Sequence, residues 1–163
     1  MEDPVERAYQ LAYRYEREHH GCAESTLLAI QETFHLGNDM VRRSASGLLA
    51  GVAFMGSVCG ALIAGVMALG MKFGRSSIER PIEGQTELFR RIIRLRRMFK
   101  REFGSCLCHE IQRSLLGRSF NLADPSEYEA FKRAGGYEKC PEVVAKTARM
   151  VAELLIEAER RPQ

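Results

Sequence analysis

Apolar residues recur at intervals of three and four along most of the chain, and no segment alternates apolar and polar residues as a half-buried strand would. Val5, Ala8, Tyr9, Leu11, Ala12 and Tyr15 form one such stripe behind Pro4, which suits the first position of a helix that His19, His20 and Gly21 should end. A second run opens at Cys22 and reaches about Phe34 and His35, where Gly37-Asn38-Asp39 breaks it. Leu88, Ile92, Leu95, Phe99 and Phe103 line one face of a long helix from about Thr86 to Phe103. A shorter helix follows Cys106 to about Leu116, and Asp124-Pro125-Ser126-Glu127 opens another. The last helix should begin at Pro141 and run toward Arg160. The pattern predicts an all-α fold: a helical bundle forming a single domain over residues 1–163.

One segment tests that expectation. Ser44 to Met71 holds no charged residue and is flanked by Arg42-Arg43 and Lys72, so its length alone would cross a bilayer. Gly47, Gly51, Gly56, Gly60, Gly65 and Gly70 interrupt it, and each interior glycine costs a helix about 1 kcal/mol relative to alanine. The segment therefore reads as a glycine-rich loop from about Ser44 to Ser57, then a buried central helix from Cys59, with a membrane span as the alternative.

With 163 residues the chain can bury a proper core in one domain without disulfide staples. Its net charge of +3 is small, but Arg90, Arg91, Arg94, Arg96, Arg97, Lys100 and Arg101 crowd the long helix. A solvated helix face accounts for them; a membrane-associated or anion-binding interaction module is the alternative. No nucleic-acid-reading motif accompanies the charge, so specific nucleic acid is not an expected partner. The acidic start Met1-Glu2-Asp3-Pro4-Val5-Glu6-Arg7 lacks the basic and apolar regions of a signal peptide, which leads to the expectation of a cytoplasmic, reducing location. Neither a redox partner nor an oligomeric state can be read from the residues, and a homo-oligomer stays open.

In that setting the five cysteines matter more for chemistry than for stapling. Cys22, Cys59 and Cys140 each stand where a helix should begin: behind Gly21, behind Gly56-Ser57-Val58, and directly before Pro141. Unpaired N–H groups and the helix dipole favour an anion there, which predicts thiol pKa values below the free value of about 8.5. The alternative is that small cysteines fill tight core positions.

The run Cys59-Gly60-Ala61-Leu62-Ile63-Ala64-Gly65, with a glycine-rich stretch before it and Met67-Ala68-Leu69-Gly70 after it, resembles the C_GCAxxG_C_C family of redox-active proteins. Cys22-Ala23-Glu24-Ser25 is similar to the family's first cysteine motif, Cys108-His109-Glu110-Ile111 to its third, and Cys140 corresponds to its fourth. The resemblance runs along nearly the whole chain and implies a site made of Cys22, Cys59, Cys108 and Cys140, with Gly60, Ala61 and Gly65 as its backbone. Two departures stand out: Ala64 occupies the expected glycine position, with Gly65 one residue later, and Cys106 lies outside the pattern.

The long intervals between the four cysteines differ from the paired spacing of zinc knuckles, so tertiary packing would have to assemble any site. Four soft thiolates suit an iron–sulfur cluster, with zinc as the alternative. Through distant relatives holding an iron–sulfur centre beside haem, the resemblance implies cluster ligation and electron transfer. A competing chemistry is thiol–disulfide exchange between Cys106 and Cys108. Cys106-Leu107-Cys108-His109 is one residue too short for covalent haem attachment. His19, His20, His35 and His109 read as helix-end residues, and Glu24, Glu110 and Glu142 as helix-turn charges. No nucleophile–base arrangement and no phosphate-binding loop is present.

Overall fold

A computed structural model describes residues 2–159, and among them eight α-helices and two short 3₁₀ turns account for the regular structure. Helix α1 (Pro4–His19) starts where the Asp3 side chain accepts the N–H of Val5, and it ends at His20 in the left-handed conformation. Ala8, Ala12 and Glu16, four residues apart, form its buried edge. Helix α2 (Cys22–Phe34) follows after Gly21 and stops at a left-handed His35.

Where the sequence suggested only a break, a short helix α3 (Asp39–Ser44) forms instead. Asn38 caps it by accepting the Val41 N–H, and Arg42 ties its first turn to Asp39 and to Glu24 of α2. The chain then makes a 3₁₀ turn (Ser46–Leu48) and a run of left-handed residues. Ala50, Gly51, Val52, Ala53 and Phe54 all have φ between 47° and 72°. Glycine takes that conformation freely, whereas the other four residues pay for it in contacts between Cβ and backbone.

Helix α4 (Gly60–Phe73) is the central element, and its Ala61, Leu62, Ala64, Ala68 and Leu69 are buried. Gly65 lets it pass close to two neighbours, since a Cβ there would stand 2.9 Å from both Leu95 Cδ2 and Val151 Cγ2. Helix α5 (Thr86–Phe103) spans the residues the periodicity predicted. Its Leu88, Leu95 and Phe99 are buried and Ile92 and Phe103 pack partly against the core, leaving the basic residues outward except Arg91, which is largely covered. Arg91 pairs with Glu87 and donates to the Leu154 carbonyl, and Arg94 pairs with Glu157.

Helix α6 (Cys108–Leu116) follows Cys106 as expected, after an extended Leu107 that Val58 bridges. Helix α7 (Pro125–Arg133) starts from its Asp124 cap. Helix α8 (Gly136–Glu159) corrects the expectation for the C-terminal helix, which begins at Gly136 rather than Pro141. Cys140 is therefore inside the helix and not at its cap. Pro141 cannot donate to the carbonyl of Tyr137 four residues back, and the Arg17 guanidinium donates to that carbonyl instead, at 3.4 Å. Arg160 lies outside the described residues.

Helices α1, α2, α4, α5 and α8 enclose the main core, and Phe120, Leu122 and Phe131 form a smaller cluster beneath α6 and α7. Among the described residues, no helix is long and apolar enough to cross a membrane. The uncharged segment instead divides between turns and α4, whose apolar face is buried against α2, α5 and α8.

Candidate functional site

Between the two clusters lies a cavity of about 80 Å³, and Cys22, Cys59, Cys108 and Cys140 all line it. Each arrives on a different element: Cys22 is the first residue of α2, Cys59 caps α4, Cys108 is the first residue of α6, and Cys140 is in the second turn of α8. Cys106 is not among the lining residues and packs partly buried against the main core. All five are free thiols.

A backbone clip fixes two of the four. The Cys59 N–H donates to the Cys106 carbonyl at 2.9 Å, and the Cys108 N–H donates to the Ser57 carbonyl at 2.6 Å. Next along, the Gly56 carbonyl accepts the His109 N–H at 3.1 Å, with His109 Nδ1 2.7 Å away. His109 thus orders the loop beside the site. Gly60 makes room for the third cysteine, since a Cβ there would come within 2.7 Å of Cys22 Sγ. Gln112 donates from Nε2 to Cys108 Sγ at 3.4 Å while its Oε1 accepts the Phe120 N–H at 2.9 Å. Of the other backbone positions singled out, Ala61 directs its N–H toward Cys59, whereas Gly65 serves the crossing with α5 and α8.

Burial overturns the expectation of low thiol pKa values. It pushes the Cys22 thiol up to about 12, with the nearby Glu16 adding to the rise. Cys59 and Cys140 are pushed well above the ordinary thiol value, first by burial and then by neighbouring thiols and, for Cys140, Glu16. Cys108 is raised by burial while its Gln112 hydrogen bond opposes the shift. Helix N-termini do contribute, since the backbone N–H groups of Ala23, Ala61 and Leu62 favour the anions. Loss of water costs the anion more than those dipoles return.

Two further groups face the cavity: Glu16, which the sequence reading passed over, and His20, which ends α1 as the sequence predicted. Glu16 is 6% exposed, and its carboxyl is pushed up to about 7 by burial, against the opposing influence of the Ser25 side chain and Gly21 backbone. Glu16 Oε2 and His20 Nδ1 are buried and accept no hydrogen bond. The His20 ring stacks on Tyr137 with centroids 3.6 Å apart, and the Tyr137 hydroxyl is hydrogen-bonded to that of Tyr128. Phe54, Tyr128 and Phe131 continue this aromatic wall. The signal for Glu16 was present in the spacing Ala8, Ala12, Glu16, which puts a carboxylate on the buried edge of α1. His20 carried no such signal, because a helix-ending histidine is ordinarily solvated.

Among the described residues, no three His, Cys, Asp or Glu side chains converge closely enough to hold a single metal ion. The four sulfurs instead stand around a shared space with apolar walls.

No curated protein and no solved structure shows significant similarity to this chain. A family model described as "Putative redox-active protein (C_GCAxxG_C_C)" matches residues 20–154, a span that contains all five cysteines. The match covers most of the chain, and the protein therefore belongs to the C_GCAxxG_C_C family of redox-active proteins.

Proposed function

We propose that Cys22, Cys59, Cys108 and Cys140 hold an iron–sulfur cluster in their shared cavity and that the protein works as an electron carrier or accessory redox subunit. The observation that carries this reading is the sorting of the cysteines: the four that correspond to the family pattern line one cavity, and the fifth does not. The donor set suits the group, because thiolates are soft ligands and four of them are the usual complement of a two-iron or four-iron cluster.

Such a cluster supplies one-electron transfer at a potential tuned by hydrogen bonds to sulfur and by burial. This chain's residues provide both influences. Gln112 places an N–H on Cys108, and leucine and aromatic side chains wall much of the cavity. Because burial favours the neutral thiols, loading must release protons, and cationic charge in the cavity has to offset the thiolates that form.

The test is anaerobic purification with visible absorption, iron and acid-labile sulfide measured on one sample. Charge-transfer bands with both elements support the reading, provided that serine at position 22, 59, 108 or 140 abolishes them and C106S keeps them. Colourless protein with stoichiometric zinc, or with reducible disulfides, would replace it.

A further inference from the structure

We propose that the outer face of α5, with the 3₁₀ turn before it (Ile82–Gln85), docks on an anionic lipid membrane, the helix lying along the surface with Phe89 and Ile93 inserted. This face is separate from the cysteine cavity, whose lining includes no residue of either element, so it does not depend on what the cavity holds.

Helix α5 carries apolar residues on two sides. Leu88, Leu95 and Phe99 are buried in the core, whereas Phe89 and Ile93, four residues apart, point away from it and are 42% and 49% exposed. Both share a shallow hollow with Ile82, which is 51% exposed. Core packing does not account for them, and contiguous exposed apolar residues rimmed by polar ones mark an interaction site.

Charge identifies what covers the face. Arg96, Arg97 and Lys100 stand three, four and seven residues after Ile93 and so continue the same side of the helix, with Arg101 at its edge. All four are exposed, and among the described residues no ion pair engages them, in contrast to Arg90 and Arg94, which pair with Glu87 and Glu157. Of the residues lining the hollow, Glu83 alone is acidic.

Apolar side chains set among unpaired cations match a membrane interface, where acyl chains receive the former and anionic headgroups the latter. A soluble polyanion would satisfy the arginines but leave Phe89 and Ile93 in water. A second copy fits poorly, because a two-fold interface would set the same cations against one another. The inner side of α5 stays in the core, so insertion involves the outer side chains and needs no refolding.

The chain has no tryptophan, so F89W places a single reporter on this face. Full-length F89W is titrated with phosphatidylcholine vesicles, with and without phosphatidylglycerol, and with single-stranded DNA as a soluble polyanion. Its emission should move to the blue with the phosphatidylglycerol vesicles alone. Flotation with those vesicles then compares wild type, R97E/K100E, F89S/I93S and R43E/R133E, the last changing net charge equally on α3 and α7. R97E/K100E should bind at least 10-fold more weakly, since one basic residue near an anionic surface contributes a factor of about five. F89S/I93S should lose about 10-fold or more through the apolar area left in water. R43E/R133E should bind within about twofold of wild type, and added salt should weaken all binding.

The substituted positions are exposed, so each variant should melt with wild type, which separates lost binding from lost folding. Absence of vesicle binding by wild type would overturn the proposal. Equal binding by F89S/I93S and wild type would reduce it to charge adsorption and overturn the insertion. A loss in R43E/R133E as large as in R97E/K100E would show that net charge, and not this face, is responsible. Binding of DNA in preference to the vesicles would assign the face to a polyanion instead.

Discussion

Gly60 presses the bare side of its Cα against the sulfur of Cys22: a Cβ there would stand 2.7 Å from Sγ and 2.6 Å from the Leu48 carbonyl oxygen. The sulfur can rotate away, but the carbonyl belongs to backbone and cannot yield cheaply. G60A should therefore destabilise the protein by about 1–3 kcal/mol, the usual cost of overpacking, and displace Cys22 from the cavity. Chemical denaturation reads the first effect, and iron uptake relative to wild type reads the second.

Metal-free protein should lose stability as pH rises from about 4.5 through about 7, the interval between the ordinary carboxyl value and that of Glu16. A carboxyl raised on folding binds its proton more tightly in the native state, so its contribution is complete below the lower value and lost above the upper one. The change is on the order of 3 kcal/mol at most. Urea titrations at pH 5 and pH 8 measure it, and E16Q should flatten the difference; an unchanged slope in E16Q would refute the assignment to Glu16.

The buried thiols should have a second effect in alkaline solution. Cys22 is raised from 9.0 to about 12, so the unfolded chain gives up this proton first and native stability falls across that interval. The same shift should slow alkylation. In metal-free protein at pH 8, iodoacetamide should label Cys22, Cys59 and Cys140 slowly and label them quickly once urea unfolds the chain, with peptide mass spectrometry as the readout.

Two glycines of α4 should respond oppositely to alanine. A Cβ on Gly70 would meet no atom within 4 Å, so G70A should gain helix propensity of about 0.5–1 kcal/mol. At Gly65 the same Cβ would push on Leu95 and the stiff Val151, so G65A should show a lower melting temperature than G70A.

In the turn before Cys59, V52G should stabilise the protein by about 1 kcal/mol, because glycine adopts the left-handed φ of 64° without the strain of a β-branched side chain. An unchanged or lower melting temperature would contradict the strain assigned to this segment.

Local rules in the sequence were strong enough to place most helices. Pro4, the Asp124-Pro125 pair and the apolar stripe of α5 act within a few residues, and α1, α5 and α7 begin as those signals direct. The same rules misplaced the start of α8. A proline typical of a helix start lies in the second turn here, tolerated because Arg17 of α1 takes the freed Tyr137 carbonyl. That compensation comes from 120 residues away and leaves no local trace. Helix α3 was missed although Asn38 is a good cap, because six residues are too few for an apolar period to show.

The chemistry divided in a similar way. The cysteine motifs by themselves determined the family, since motif identity and order survive without knowledge of packing. Only the tertiary structure brought Cys22, Cys59, Cys108 and Cys140 to one cavity, left Cys106 outside it and added Glu16. It also reversed the expected sign of the thiol shifts. A helix start is a local feature that a sequence can announce, but the water lost around a sulfur depends on what residues far along the chain pack against it. In this cavity that loss outweighs the helix dipole.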